Sequence, residues 1–294
     1  MGEDGDGVEF PGHAVAVLPI SGPLSPALWH GFAGLLGYDV LRECVLQVDH
    51  DRQRLTLTDP ADFRPPGSAA GLSFTLAGGV PVVPMKLDDR IDGNFLVDLG
   101  STGGVLLQSA FAERHGIRPA KTVTGVGLGF GGGFAHHYFR MSSAQLGPLR
   151  WTDPIVGIIQ ASAGALAGEE YAGSIGNQVL ERFVCTFDFE RHRLYLSSSA
   201  RAAERDRFTR VGAILARSGD TVTAVQVLAG SPAERAGLRV GDVVRTIDGR
   251  AATSWTIDGL RQRFESSDGS GTVVFGVARG DRRTQIVVHK VSML

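Results

Sequence analysis

One string in this chain sets a carboxylate in a frame that could make it reactive. Phe95 to Leu107 reads FLVDLGSTGGVLL, an apolar run ending in Asp98-Leu99-Gly100-Ser101 and followed by a second apolar run. Left unpaired and desolvated at the end of a buried strand, that carboxylate would destabilise the fold by several kcal/mol. A tight turn at Gly100 relieves this, because backbone N–H groups and the Ser101 hydroxyl can then point at Asp98. The chemistry open to such a group is general acid–base work on a water molecule. Asp-x-Gly also occurs in ordinary turns, so the string alone leaves a plain turn aspartate and a catalytic one both standing.

Other chemically suggestive residues lead less far. Gly125 to Gly133 (GVGLGFGGG) has the glycine density of a phosphate loop, but no helix with Lys and Ser/Thr follows it. His136 and His137 are adjacent on an expected strand and point to opposite faces, which argues against a shared metal. Two cysteines, Cys44 and Cys185, cannot form a metal cage or a disulfide framework and read as buried apolar residues. No metal or cofactor is expected.

The elements that must position Asp98 show in an internal repeat. Ala33 to Leu57 (AGLLGYDVLRECVLQVDHDRQRLTL) and Ala172 to Leu196 (AGSIGNQVLERFVCTFDFERHRLYL) align without a gap at an offset of 139 and share 11 of 25 residues. The same offset pairs Val15–Ile20 with Pro154–Ile159. Each copy reads as a buried strand, a glycine turn, one helical turn and a hairpin at Asp-x-x-Arg. An offset this long points to duplicated lobes rather than a solenoid. Between the copies, Leu72–Leu76, Val80–Leu87 and Gly93–Val97 read as strands. Phe111–Gly116 reads as a short helix with Ser109 as N-cap, Gly125–Gly133 as a hairpin tip and Ala135–Met141 as its return strand. Ser197–Arg210 interleaves basic residues with Glu204 and Asp206 and is expected to be a solvated connector.

The order of these parts resembles the aspartic proteases of the pepsin and retropepsin type. Each of their lobes carries an apolar strand, Asp-Thr-Gly-Ser/Ala, a glycine-rich flap, an apolar-apolar-Gly strand and a short helix. Here Phe95–Ser101, Gly125–Gly133, Ser174-Ile175-Gly176 and Gln178–Phe183 stand in that order, and the likeness spans about residues 8 to 198. It implies Asp98, Gly100 and Ser101 as the catalytic loop, and Gly127, Gly129 and Phe130 in the flap. The family chemistry needs two carboxylates about 3 Å apart sharing one proton. Projected back by the repeat, the partner of Asp98 falls at position −41, ahead of Met1, so residues 1–60 are expected to be the closing part of a first lobe. Leu99 stands where the family has a threonine whose hydroxyl bridges the two loops. Both departures imply that this chain does not hydrolyse peptides alone. The alternatives are an endopeptidase whose first aspartate lies elsewhere, a homodimer pairing two Asp98 residues, and a non-catalytic scaffold derived from a protease.

Gly230 to Arg250 (GSPAERAGLRVGDVVRTIDGR) closely resembles the central segment of bacterial-type PDZ domains. Ser231 is placed to cap a helix opening at Pro232, Gly237 to end it, and Asp248-Gly249 to turn the strand Val243–Ile247. Thr256–Phe264 reads as an amphipathic helix with Leu260 and Phe264 inward, and Gly271–Ala278 with Thr284–Lys290 as a closing hairpin. The resemblance implies that peptide C-termini bind by strand addition. By chain order, Val211, Gly212, Ala213 and Ile214 would form the carboxylate loop, with Ile257 and Arg261 facing the groove. Gly127-Leu128-Gly129-Phe130 spells a PDZ loop by coincidence, about 100 residues too early.

The expected architecture is therefore mainly β: an incomplete first lobe (1–60), a complete second aspartic-protease-like lobe (61–200) and an α+β PDZ domain (207–294). Its 40 glycines, about twice the usual share of roughly 7%, are spread along the chain as turns between short strands. A net charge of −2 gives no electrostatic case for nucleic acid or an anionic membrane, and no apolar run is long enough to span a bilayer. The expected partners are a polypeptide substrate or peptide C-termini. The family resemblance implies an exported protein, although Met1–Gly7 (MGEDGDG) has none of the parts of a signal peptide.

Overall fold

The computed structural model describes residues 12–14, 34–67, 69–129, 132–160, 170–267 and 271–294. Val15–Ile20, expected as a strand, lies outside them. A short helix α1 (Tyr38–Leu41) leads into the hairpin of β1 (Val45–Asp49) and β2 (Arg54–Thr58). Next come β3 (Ala70–Ser73), β4 (Thr75–Ala77), β5 (Val80–Leu87), β6 (Ile91–Val97), β7 (Val105–Gln108) and helix α2 (Ser109–Arg114). The strands β8 (Val123–Gly129), β9 (Gly132–Arg140), β10 (Ser143–Leu146), β11 (Leu149–Thr152) and β12 (Ile155–Gln160) follow. This part closes with β13 (Gly173–Ile175), α3 (Asn177–Leu180) and the hairpin β14 (Phe183–Asp188) and β15 (Arg193–Ser198).

The repeat is realised as a symmetric pairing. One sheet has the order β2-β1-β14-β15-β3, with β1 antiparallel to β14 and Gln47 opposite Thr186. Those two residues are 139 apart, so each stands against its own repeat image, and the Gln47 amide donates to the Thr186 hydroxyl at 3.2 Å. Both hairpins turn in the same way. Asp49 accepts from the Arg52 backbone and guanidinium (3.0 and 2.7 Å), and Asp188 does the same with Arg191 (3.0 Å each). The following residues, Gln53 and His192, both take positive φ (52° and 50°). The Arg52 guanidinium and its backbone N–H hold the Asp49 carboxyl below its ordinary pKa.

A second sheet runs β11-β10-β5-β6-β13-β7-β12-β9-β8, with β4 beside β5. One core joins these two sheets, built from Phe95, Leu107, Ile175, Phe183 and Leu194 among others. Two expectations need correction. Leu72–Leu76 is not one strand: buried Phe74 breaks it, its N–H bonding the His192 carbonyl, so β3 joins the first sheet and β4 the second. Ser109 does not cap α2, whose N-cap is Gln108 with no side-chain bond, because the buried strand β7 runs directly into the helix.

The C-terminal part has its own core and sheet. Its elements are β16 (Ala213–Ser218), β17 (Thr221–Val227), α4 (Pro232–Arg235), β18 (Val243–Ile247), β19 (Arg250–Ala251), α5 (Ile257–Glu265), β20 (Thr272–Arg279) and β21 (Arg282–His289). The sheet order is β16-β17-β18-β20-β21, which leaves β16 at an edge. Ser231 caps α4 by accepting from Glu234 N–H, with Pro232 at the first helical position, and Thr256 caps α5 by accepting from Gly259 N–H.

The connector is not solvated as its composition suggested. The Asp206 carboxylate, nearly buried, pairs with the buried Arg182 guanidinium and accepts from Ile155 N–H at 2.8 Å. Arg182 also donates to the Ala202 and Glu204 carbonyls (3.0 and 2.7 Å), and Arg140 to the Asp206 carbonyl (3.3 Å). A desolvated guanidinium with this many acceptors ties the segment to the body more firmly than a surface ion pair does.

Candidate active-site loop and peptide groove

Asp98 sits one residue beyond β6, at the crossing of three strands. The strand β13 runs between β6 and β7, parallel to the first and antiparallel to the second. Asp98 N–H donates to the Ile175 carbonyl at 2.9 Å, which fixes the loop to β13. The carboxylate accepts from Gly100 N–H at 2.9 Å and is otherwise exposed, so it keeps most of its hydration. Ser101 N–H closes the turn on the Asp98 carbonyl at 3.2 Å. The helix α3 then holds the loop from behind. Asn177 N–H donates to the Ser101 carbonyl and Gln178 N–H to the Gly103 carbonyl (2.9 and 3.1 Å), and the Asn177 amide to the Leu99 carbonyl (2.9 Å).

Two residues explain the local sequence. Gly176 is required because a Cβ there would lie 2.5 Å from the Gly103 carbonyl oxygen and 2.8 Å from the Ser101 hydroxyl. Leu99 is half-buried and packs against the core, a role a threonine would fill less well. Among the described residues, no hydrogen bond or ion pair joins Asp98 to a second carboxylate.

The glycine-rich segment is paired strand through most of its length: β8 and β9 pair from Val123 opposite Tyr138 to Gly129 opposite Gly132. Phe130 lies outside the described residues. Gly127 stands opposite Phe134 and has no room for a side chain, since a Cβ would collide with the His136 imidazole. His136 itself is buried, 5.1 Å from the Tyr138 ring in a stacked arrangement and 4.7 Å from Phe134. Burial, then the neighbouring His137, pushes its pKa down to about 4. Burial likewise raises Tyr138 to about 12. His137 faces the other way, 3.1 Å from the Thr124 hydroxyl. The sequence offered His136 only as a metal ligand; its alternation with Phe134 and Tyr138, opposite glycines, was the signal for a buried ring.

In the C-terminal part, Val211 and Gly212 form a buried loop leading into edge strand β16, which opens at buried Ala213. Gly212 has φ +79°, and a Cβ there would collide with Ser231. Its carbonyl accepts from Leu228 N–H at 2.8 Å, which places the loop against the start of the α4 segment. Ile214 on β16 and Ile257 in the first turn of α5 stay exposed, at 46% and 42%. Arg261, expected on the groove, is instead engaged by Glu181 at the end of α3, 3.5 Å away. Beside it, burial raises Glu265 to about 7.

Residues 83–179 match the aspartyl protease family and residues 219–279 match the PDZ domain family. The chain joins an aspartyl-protease-like domain to a PDZ-like domain. Among solved structures, a retropepsin-like aspartic protease from Rickettsia conorii is 16% identical, covering 44% of this chain and 89% of its own, with a TM-score of 0.34. A PDZ domain protein from Parabacteroides distasonis is 20% identical with a TM-score of 0.26. That match covers 30% of this chain and 21% of the Parabacteroides protein. The HtrA-type protease AlgW, solved with a tripeptide, is 16% identical over 86% of this chain and 95% of its own, with a TM-score of 0.27. No curated protein matches the chain.

The PDZ domain touches the aspartyl protease domain at its hairpin. The Gln226 amide, turned to suit its partners, donates to the Val126 carbonyl and accepts from Val126 N–H (3.1 and 2.6 Å), and Gly125 lies against Leu228. The Phe208 ring of the connector meets Tyr138 of β9 at 5.4 Å.

Proposed function

We propose that this chain is of the aspartic endopeptidase type, supplies Asp98 as one catalytic carboxylate, is inactive alone, and takes peptide C-termini in its PDZ groove. The observation that carries the reading is the Asp98 loop. It is an exposed carboxylate on a backbone N–H, locked between β6 and β13 where Gly176 permits close approach. In aspartic chemistry the ionised carboxylate takes a proton from water as its oxygen attacks the peptide carbonyl carbon. The protonated partner donates to the developing oxyanion, and the C–N bond then breaks as a proton passes to the leaving amine. Asp98 can fill either role but not both, because the two steps need a shared proton between carboxylates.

A non-catalytic reading is favoured by Leu99, whose side chain packs on the core where the family places a bridging hydroxyl. In that reading the loop is a relic, and polypeptide is held without cleavage. One experiment separates the readings. Purified chain is incubated with an unfolded polypeptide at pH 4 to 5, with and without pepstatin, alone and mixed with a first-lobe protein bearing its own aspartate. Silence alone with Asp98-dependent cleavage in the mixture supports the enzyme. Silence in both supports the scaffold. Robust cleavage by the chain alone, lost in Asp98→Asn, refutes both and points to a homodimer.

The peptide half rests on β16 as an unpaired edge, with Ile214 and Ile257 as exposed apolar residues beside it. Peptides with free C-terminal carboxylates should bind, and their amides should not. Gly212→Val should abolish binding, since the loop conformation admits no side chain there.

A further inference from the structure

The two leading amides of the proposed carboxylate loop are already taken. Val211 N–H and Gly212 N–H both donate to the Thr209 hydroxyl oxygen, at 3.3 and 3.0 Å. A peptide carboxylate bound by strand addition needs donors at this place. Thr209 thus satisfies, from within the chain, groups that would otherwise be buried without a partner. Val211 is 0% exposed because its side chain belongs to the core of the C-terminal part.

Thr209 is also fastened at its other side. Its neighbour Phe208 lies against Tyr138 of β9, and three residues back Asp206 is locked to Arg182 and Ile155. The same loop reaches the hairpin by a second route. Gly212 accepts from Leu228, Leu228 lies against Gly125, and Gln226 bonds Val126 on both sides. Moving Thr209 away from the loop therefore strains the Phe208–Tyr138 contact, one end of a path that ends in the glycine-rich hairpin.

The geometry points to Thr209 as an internal latch: its hydroxyl occupies the carboxylate position of the PDZ loop, and a peptide that displaces it loosens Phe208 from the β9 strand of the aspartyl protease hairpin. This inference rests on the peptide-binding reading above. A carboxylate is the stronger acceptor, because charge-assisted hydrogen bonds are roughly twice as strong as neutral ones. It can therefore evict the hydroxyl, but it binds only the fraction of molecules in which the latch is open. Two neutral bonds toward the weak end of their usual net worth, one of them long at 3.3 Å, hold that fraction near one in ten, so the latch weakens apparent affinity about 10-fold. Displacement is reciprocal: whatever holds the hairpin against Phe208 also disfavours the ligand.

The test uses the full chain and fluorescent five-residue peptides ending in Val, Leu or Phe, as free acids and as amides. Thr209→Val keeps the shape and removes the acceptor; Thr209→Ala removes the same hydroxyl should the valine variant fold poorly; Thr209→Ser retains it. The expected result is about 10-fold tighter binding of the free acids to the Val and Ala variants, with Ser within about 2-fold of the natural protein. Equal or weaker binding by folded Val and Ala variants overturns the latch. If no free acid binds any of the variants, the peptide-binding reading fails and the latch falls with it. Binding only after the hydroxyl is removed supports both. For the coupling, amide hydrogen exchange across residues 132–140 should rise at least about 3-fold at saturating peptide in the natural protein, and unchanged exchange overturns it.

Discussion

Acid should loosen the glycine-rich hairpin, and His136 is the reason. Its imidazole is buried between Phe134 and Tyr138 and above Gly127, with a pKa pushed down to about 4 from an ordinary 6.5. The folded hairpin thus favours the neutral ring. Its contribution is complete above pH 6.5 and is lost as the pH falls from there through 4. A depression of about 2.5 units corresponds to at most about 3.4 kcal/mol, and about 2 kcal/mol where the folded ring keeps partial access to water. That is roughly a 30-fold change in the opening equilibrium. The assay is native-state hydrogen exchange of the β8 and β9 amides from pH 7 to 4.5, corrected for the intrinsic pH dependence. Natural protein should lose most of that protection by pH 4.5, while His136→Phe, which keeps the stack without titrating, should stay flat. Parallel curves for the two proteins would falsify the assignment.

Three further outcomes follow from the packing. Asp188→Ala should lower stability by about 2–4 kcal/mol in urea titrations, because it removes the buried carboxylate that accepts from both the Arg191 N–H and its guanidinium at the hairpin turn. Gly176→Ala should cost about 1–3 kcal/mol and shift the backbone amide resonances of residues 98–104, since its Cβ meets the Gly103 carbonyl. Asp206→Ala leaves the buried Arg182 guanidinium without its carboxylate and Ile155 N–H without an acceptor, at about 3–5 kcal/mol; calorimetry should then separate aspartyl protease and PDZ unfolding.

What the sequence made legible was local or repeated. The Asp98 turn, the Ser174-Ile175 strand that ends at Gly176 and the Ser231 cap are each encoded within a few residues, by glycine, a small polar side chain and an apolar run. The repeat added long-range information, because identical Asp-x-x-Arg turns must fold alike. What stayed hidden depends on partners distant in the chain. Asp206 looks like any linker carboxylate until Arg182, 24 residues earlier, is brought over it. Thr209 looks like a connector residue until the loop two residues later turns its amides back. Phe74 splits an apolar run because His192 captures its amide, which no periodicity announces. Arg261 has the right helical position for the groove, but an acidic residue on another domain claims it.

The pairing of Gln47 with Thr186 has a consequence for how the chain is made. The hairpin β1–β2 emerges from the ribosome with one edge of β1 unpaired, and that edge has no native partner until β14 appears 139 residues later. At about 5–20 residues per second this wait is roughly 7–28 s, far longer than a hairpin needs to form. During it, Val45, Leu46 and Val48 face solvent in a nascent strand able to pair with any passing edge. The symmetric register that completes the first sheet therefore also carries an aggregation-exposed interval, and a chaperone that covered β1 would shield the growing chain through it.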